Sequence, residues 1–246
     1  MGALARIAKY GNPGTPEGRR NGGLNSVLSQ TKLDNNFKKA KNFFKPKNSK
    51  LLSEFMGILI GDGHLSNYQV SITTNSETDF EHAVYIGKLI KKIFCLESSI
   101  KFRKEAKAVN IIVSSVNLVK WLSGMGMPIG NKLVKGISVP NWIKGNDLYE
   151  KSFIRGLFDT DGCVYIDKHT IKGKVYRNMG WNFTSYSVEL REDIFQTLKN
   201  LGYNPTSTKK QKAVYMRRKG DIERYFKDIG TSNPKHLERY KKGGVA

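Results

Sequence analysis

Hydrophobic and polar positions alternate with helical and strand-like periods along the chain, and from Leu51 onward the same order of periods occurs twice. Helical spacing predicts helices over residues 51–60, 77–94, 116–123, 152–160, 188–201 and 221–228. Strand-like alternation predicts strands over residues 68–74, 99–104, 109–114, 163–167, 181–185, 206–210 and 213–217. We interpret each half as an αββαββα unit, which is typical of an α+β fold with antiparallel strand pairs.

Equivalent polar positions support an internal duplication. Asp62 and Asp161, which follow the first helix of each half, lie 99 residues apart, and the loop residues Lys132 and Lys235 lie 103 residues apart. The fold class that we predict is therefore α+β with a pseudo-twofold axis. Its predicted parts are a basic N-terminal arm or small appended module at 1–50, a first half-domain at 51–138, a linker at 139–151 and a second half-domain at 152–246.

The charge of the chain indicates a polyanionic partner. The 246 residues contain 42 Lys and Arg against 21 Asp and Glu, a net charge of +21, and the first 50 residues alone carry +9. Nucleic acid is the partner that such a surplus favours. The glycine- and proline-rich segment 11–23 is expected to be irregular. Because no apolar run is long enough for a bilayer, we expect no membrane partner, and two cysteines do not suggest a disulfide scaffold.

One nine-residue frame occurs twice, at residues 55–63 and 154–162. Its third and seventh positions are small (Gly57 and Gly61, Gly156 and Thr160) and lie on one helix face, so two such helices can approach closely. Their C-terminal ends would then bring Asp62 and Asp161 together. Two adjacent carboxylates at the negative ends of helix dipoles attract a cation, and oxygen ligands favour Mg²⁺ over zinc. Such a site on a basic protein suggests hydrolysis of a phosphodiester.

The repeated frame, GILIGDG and GLFDTDG, resembles the signature motifs of the LAGLIDADG homing endonucleases in their monomeric, two-motif form. The first copy departs at the sixth position, where Ile60 replaces the usual Asp. The resemblance implies two antiparallel sheets that form a DNA-binding saddle. It implies Mg²⁺ or Mn²⁺ as cofactor, whereas Ca²⁺ can bind without supporting cleavage. The site residues that it implies are the metal ligands Asp62 and Asp161 with the carbonyls of Gly61 and Thr160, the catalytic Lys132 and Lys235, and the water-positioning Thr74 and Ser185.

Polar residues on the predicted strands are the expected DNA contacts. They alternate with apolar residues, so each sheet would present one polar face, and amide and guanidinium groups can read base edges there. The candidates are Gln69, Ser71, Thr73, Asn75, Lys101, Arg103, Asn182, Thr184, Lys210, Lys212 and Arg217. Because the halves differ in sequence, the expected target is a long, non-palindromic duplex.

The function that we expect is site-specific cleavage of double-stranded DNA by a monomer. The alternatives on the same fold are an RNA-splicing maturase, for which intron RNA is a partner, and a DNA-binding regulator that does not cleave. A ribosomal or RNA-chaperone protein would explain the charge but not the duplicated acidic motif. The ends of the chain lack the splice-junction residues of an intein, so we expect an intron-encoded, intracellular protein of a prokaryote or an organelle.

Overall fold

The structure is a computed structural model that describes residues 2–12, 14–32, 42–208, 210 and 212–244. The chain divides into two units, residues 1–40 and 41–246. The first unit contains α1 (Ala3–Tyr10) and α2 (Pro16–Lys32). The Thr15 hydroxyl accepts a hydrogen bond from the Gly18 N–H at 3.1 Å and Pro16 occupies the first helical position. The expectation that residues 11–23 are irregular is therefore wrong from Pro16 onward, because these two residues start a helix.

The second unit contains two successive αββαββα repeats, as predicted, each followed by one further helix. Its helices are α3 (Lys50–Asp62), α4 (Phe80–Phe94), α5 (Val116–Gly124), α6 (Lys132–Lys135), α7 (Asp147–Asp161), α8 (Val188–Asn200), α9 (Lys219–Asp228) and α10 (Pro234–Gly244). Its strands are β1 (Gly63–Leu65), β2 (Gln69–Asn75), β3 (Ser99–Phe102), β4 (Ala108–Ser114), β5 (Gly162–Ile171), β6 (Lys174–Thr184), β7 (Thr206–Thr208) and β8 (Ala213–Met216).

Each repeat forms one four-stranded antiparallel sheet, which confirms the predicted α+β class. The strand orders are β1-β2-β4-β3 and β5-β6-β8-β7, so both sheets have the same connectivity. One face of each sheet packs on the helices through alternate residues, such as Val70 and Ile72 in β2 and Trp181 and Phe183 in β6, all buried. In the described parts of the chain, no helix is both long and apolar enough to cross a membrane.

Helices α3 and α7 run in the same direction and pack backbone against backbone. A Cβ atom built on Gly57 would lie 2.2 Å from the Phe153 carbonyl oxygen, and one on Gly156 would lie 2.1 Å from the Glu54 carbonyl oxygen. No larger side chain fits at either position, so the glycine at the third position of each motif is required by this contact. The closest approach continues to the helix ends, where Gly61 lies against Thr160.

The second sheet contains a longer hairpin than the sequence predicts. The expected strands 163–167 and 181–185 are joined by further paired residues, so that β5 and β6 pair from Gly162–Phe183 to Ile171–Lys174. Lys172 and Gly173 form the two-residue turn, with φ values of 47° and 76°, as in the turns that match the twist of a hairpin. The alternation of apolar and polar residues that predicts a strand stops before the strands do, because residues 167–178 are polar or exposed on both faces.

The helix packing yields a direct test of stability. Gly156→Ala should destabilise the protein by roughly 1–3 kcal/mol or more, since its methyl group would collide with backbone that cannot rotate away. Gly220→Ala in α9 is the matched control, because nothing lies within 4 Å of the added atom. Urea unfolding of both variants measures the difference, and equal effects would contradict the proposed close contact.

Candidate active site

Asp62 and Asp161 are the last residues of α3 and α7, and both carboxylates lie at the paired helix ends. Burial is the main cause that raises the pKa of Asp62 to about 7, and repulsion from the Asp161 carboxylate is the second. Burial also raises the pKa of Asp161 to about 6, although the Lys132 ammonium opposes this shift. The glycine after each aspartate is required by space, because a Cβ on Gly63 or Gly162 would lie within 2.5 Å of a helix carbonyl oxygen. The two carboxylates are thus held in a place that disfavours their charge.

Two cavities open at these helix ends, and each combines groups from both halves. A cavity of about 410 Å³ contains Asp161 of the second half and Lys132 of the first. A cavity of about 290 Å³ contains Asp62 of the first half and Lys235 of the second. Each cavity also contains the polar residue at the end of a strand from the same half as its aspartate. Ser185 lines the cavity with Asp161, and Thr74 lines the cavity with Asp62. A half-domain alone would therefore contain neither complete set.

The Lys132 ammonium lies at the C-terminal end of α3. It donates hydrogen bonds to the carbonyl oxygens of Ile60 at 2.7 Å and Gly63 at 3.2 Å, and to that of Gly61 between them. Burial lowers the pKa of Lys132, and the nearby Asp161 and Asp62 carboxylates counteract that shift. Asn131 starts the short helix α6 by accepting hydrogen bonds from the Leu133 and Val134 N–H groups, which sets the direction of Lys132.

The Lys235 ammonium is held by a carboxylate instead. Its Nζ lies 2.6 Å from Oδ1 of Asp79, the buried residue before α4, and the Asn233 amide donates to the same oxygen at 2.6 Å. Burial raises the pKa of Asp79, but the hydrogen bonds from Asn233, Lys235 and Thr78 outweigh it and the pKa is lowered overall. The two site lysines therefore have different partners, and sequence reasoning did not identify Asp79 or Asn233.

Asp159 holds the loop that carries Lys235, and it was also missed. This residue is the sixth position of the second motif, where the first motif has Ile60. Its buried carboxylate accepts hydrogen bonds from the Thr231 hydroxyl and, at 2.8 Å, from the Ser232 N–H. Burial raises the pKa of Asp159 to about 7 although both hydrogen bonds lower it. The difference between the motifs at this position was the signal that could have identified it.

An ion pair between a buried carboxylate and a half-buried guanidinium extends this network across the halves. Glu54 of α3 pairs with Arg155 of α7 and accepts hydrogen bonds from Tyr85 at 2.7 Å and from Ser232 at 2.6 Å. Since breaking a buried pair leaves an uncompensated charge, these contacts specify one arrangement of α3, α7 and the Lys235 loop.

The donor set at the helix ends fits a hard divalent cation. Only oxygen is offered, by Asp62 and Asp161 and by the helix-end carbonyls of Gly61 and Thr160, and a cation would relieve the buried carboxylates. The Gly61 carbonyl already accepts from Lys132, so this carbonyl is shared. Among the described residues there is no group of three or more His, Cys, Asp or Glu side chains that could hold a metal ion.

The predicted DNA-contact residues lie mostly on the sheet faces opposite the helices. Thr73 and Lys101 both pair with Asn110 of β4, and the Thr73 hydroxyl donates to the Asn110 side chain at 2.9 Å. Gln69 and Ser71 share that face of β2, and Arg103 follows β3 with an exposed side chain. Asn75 differs, because its side-chain oxygen accepts from the N–H groups of Glu77 and Thr78 and stabilises a turn.

The second sheet presents a comparable polar face. Asn182 and Thr184 alternate there with the buried Trp181 and Phe183, and Asn182 pairs with Tyr215. The Arg217 guanidinium lies 5.6 Å from the Tyr215 ring centre. The Lys212 ammonium lies 4.0 Å above the Tyr186 ring at the mouth of the Asp161 cavity, and Lys210 is exposed. Lys212 directly precedes β8 and Arg217 directly follows it, so positive charge lies at both ends of this strand.

Residues 149–230, which span α7 to the end of α9, match the LAGLIDADG-like domain. This chain carries a LAGLIDADG-like domain. The structure has the LAGLIDADG homing endonuclease fold over most of its length. It is similar to I-SmaMI bound to uncleaved DNA in the presence of calcium ions (12% identity, TM-score 0.55), covering 81% of this chain and 92% of that one. It is also similar to I-LtrWI bound to target DNA (14% identity, TM-score 0.54), covering 80% of this chain and 90% of that one. A third similar structure is I-DmoI in complex with DNA and Ca (20% identity, TM-score 0.52), covering 78% of this chain and 96% of that one.

Two archaeal proteins contain related segments. This chain is 31% identical over 136 residues to the replication factor C small subunit of Methanocaldococcus jannaschii, a match that covers 50% of this chain and 7% of that protein. It is 29% identical over 177 residues to the tRNA-splicing ligase RtcB of Methanopyrus kandleri, a match that covers 63% of this chain and 17% of that protein. The chain thus spans a small part of either relative.

Removal of the Asp159 carboxylate should loosen the Lys235 loop. Asp159→Ala leaves the Ser232 N–H and the Thr231 hydroxyl without their buried acceptor, so the free energy of unfolding should fall by roughly 2–5 kcal/mol. A double-mutant cycle with Thr231→Val should give a coupling of roughly 0.5–3 kcal/mol by urea unfolding. Additive losses would show that the hydrogen bond does not hold the loop.

His236, directly after Lys235, should make stability depend on pH. Burial, followed by the nearby Lys235 and Arg239 charges, lowers its pKa from 6.5 to about 4. The folded state disfavours protonation of His236. The contribution of the neutral imidazole to the free energy of unfolding is therefore complete above pH 6.5 and is lost as the pH falls towards 4. Relative to His236→Phe, the wild type should lose roughly 2–3 kcal/mol between pH 7.5 and pH 4.5 in urea unfolding. A constant difference between the proteins would contradict a buried neutral imidazole.

Proposed function

We propose that this chain is a metal-dependent endonuclease that cuts both strands of a long, asymmetric DNA site, acts as a monomer and is encoded within an intron. The observation that carries the proposal is the pair of cavities at the ends of α3 and α7, each with one aspartate and a lysine from the opposite half. Two such sets beside each other suit one cut in each strand. The fold of DNA-bound homing endonucleases supports the same class of reaction.

Asp62 and Asp161, with the Gly61 and Thr160 carbonyls, would hold the divalent cations, which we propose to be Mg²⁺. When bound, Mg²⁺ lowers the pKa of water and neutralises charge on the phosphate. Lys132 and Lys235 place positive charge beside the scissile phosphates, where charge develops during cleavage. The Thr74 and Ser185 hydroxyls line the same cavities and can orient the attacking water.

The polar faces of the two sheets would bind the duplex. The net charge of +21 supplies the attraction to phosphate, and the amide and guanidinium groups on β2, β4 and β6 supply base contacts. The halves carry different residues at equivalent positions, so a palindromic site would match only one of them.

Incubation of the purified protein with a randomised duplex library and Mg²⁺, followed by sequencing of the cut ends, tests this proposal. The expected result is one preferred, non-palindromic sequence cut at a fixed position in both strands. Binding without cuts would favour a DNA-binding regulator on the same fold, and selective binding of structured RNA without DNA cleavage would favour a maturase.

The aspartates provide the sharpest substitution. Asp161→Asn should lower the cleavage rate at least about 10³-fold and leave the Kd for the selected duplex within about threefold, because the carboxylate acts on the reacting phosphate. Asp228→Asn, which removes the same charge from the exposed end of α9, is the matched control for charge alone. If binding and cleavage fall together in Asp161→Asn, the carboxylate has a structural role.

A further inference from the structure

Asp79 directly precedes α4, at the position where an aspartate usually caps a helix, but its carboxylate has other partners. A side-chain oxygen at this position usually accepts a hydrogen bond from an N–H group of the first helical turn. Ser115 before α5 and Ser187 before α8 do so, by accepting from the Leu118 and Leu190 N–H groups. The Asp79 carboxylate accepts no hydrogen bond from the first turn of α4. It is therefore available to groups outside its own helix.

The second half supplies those groups. Oδ1 of Asp79 lies 2.6 Å from the Lys235 Nζ and accepts from the Asn233 amide at 2.6 Å. The Asn233 side-chain oxygen in turn accepts from the Lys235 N–H at 3.1 Å. Asp79 is only 5% exposed, so its carboxylate would be costly to bury without these partners. Asp79 thus holds Lys235 directly at its ammonium and, through Asn233, at its backbone.

The equivalent residue of the second half acts differently. Ser187 precedes α8 as Asp79 precedes α4, and both helices follow the second strand of their sheet. The Ser187 hydroxyl donates to the backbone carbonyl of Ile137, in the segment that follows α6, at 2.8 Å. The Lys132 ammonium itself donates to backbone carbonyls at the end of α3. The acid that binds the lysine of the Asp62 cavity therefore corresponds to an uncharged serine in the other half.

We propose that Asp79 is a positioning residue for Lys235 and thereby sets the rate at which one of the two DNA strands is cut. This inference rests on the proposed function. A lysine ammonium is carried on a flexible four-carbon chain, so it acts on developing charge only where a partner fixes its place. The ion pair keeps the Lys235 ammonium in the Asp62 cavity and leaves its other N–H donors for a phosphate.

Single-turnover cleavage of the selected duplex, with a different dye on each strand, measures the two cuts separately. Asp79→Ala should slow one cut by about 10²-fold, change the other by less than about twofold and leave the Kd for the duplex within about threefold, because a misplaced group slows only the reaction that it serves. Asp79→Asn keeps an acceptor for Asn233 and Lys235 and protects the fold. It should slow the same cut, but less than Asp79→Ala does.

Ser115→Ala is the matched control for a loss of stability. It removes a buried helix cap of the same half, at a cost of roughly 0.5–2 kcal/mol, and should leave both cuts within about twofold of the wild type. If Asp79→Ala slows both cuts equally, or slows neither, Asp79 does not position Lys235 and the inference is overturned.

Lys235→Ala separates positioning from a structural role. It should slow the same cut as Asp79→Ala, and adding Asp79→Ala to it should slow that cut no further, because the carboxylate would have no ammonium to place. Multiplied losses in the double variant would show that Asp79 acts through something other than Lys235. A wild type that cuts neither strand of any duplex would contradict the proposed function, and this inference with it.

Discussion

The close contact between the backbones of α3 and α7 is the constraint on which the rest of the molecule depends. Gly57 and Gly156 leave no room for a side chain, so the two helices meet along their length and end together. The end of each helix is followed at once by the first strand of its sheet, at Gly63 and Gly162. One contact therefore fixes both the distance between the carboxylates and the placement of the two sheets.

The contact also explains why the halves form a site only together. Each cavity takes its aspartate from one half and its lysine from the other. The halves nevertheless anchor these lysines differently, because Ile60 offers only its backbone carbonyl to Lys132, whereas Asp159 holds the Lys235 loop through its side chain. The two halves thus share the same helices and strands, and the difference at the sixth motif position, Ile60 against Asp159, changes how each lysine is held.

The fold and the central pair of aspartates could be predicted from the sequence because both depend on local patterns. The helix and strand periods and the repeated nine-residue frame lie in short segments, and their order identified the duplicated α+β unit. The contacts of Asn233 with Asp79 could not be predicted in this way, because they join residues 154 positions apart. The outer part of the β5–β6 hairpin, residues 167–178, was missed for another reason: it is polar or exposed on both faces, so it lacks the alternation of buried and polar residues that predicts a strand.

The central claim, that the paired helix ends form the cation site of a nuclease, can be tested by anomalous diffraction from crystals of the protein grown with saturating Mn²⁺ and the selected duplex. The account predicts anomalous peaks within coordination distance of the Asp62 and Asp161 carboxylates, and their loss at the corresponding position in Asp161→Asn. Peaks at other residues, with none beside either aspartate, would contradict it.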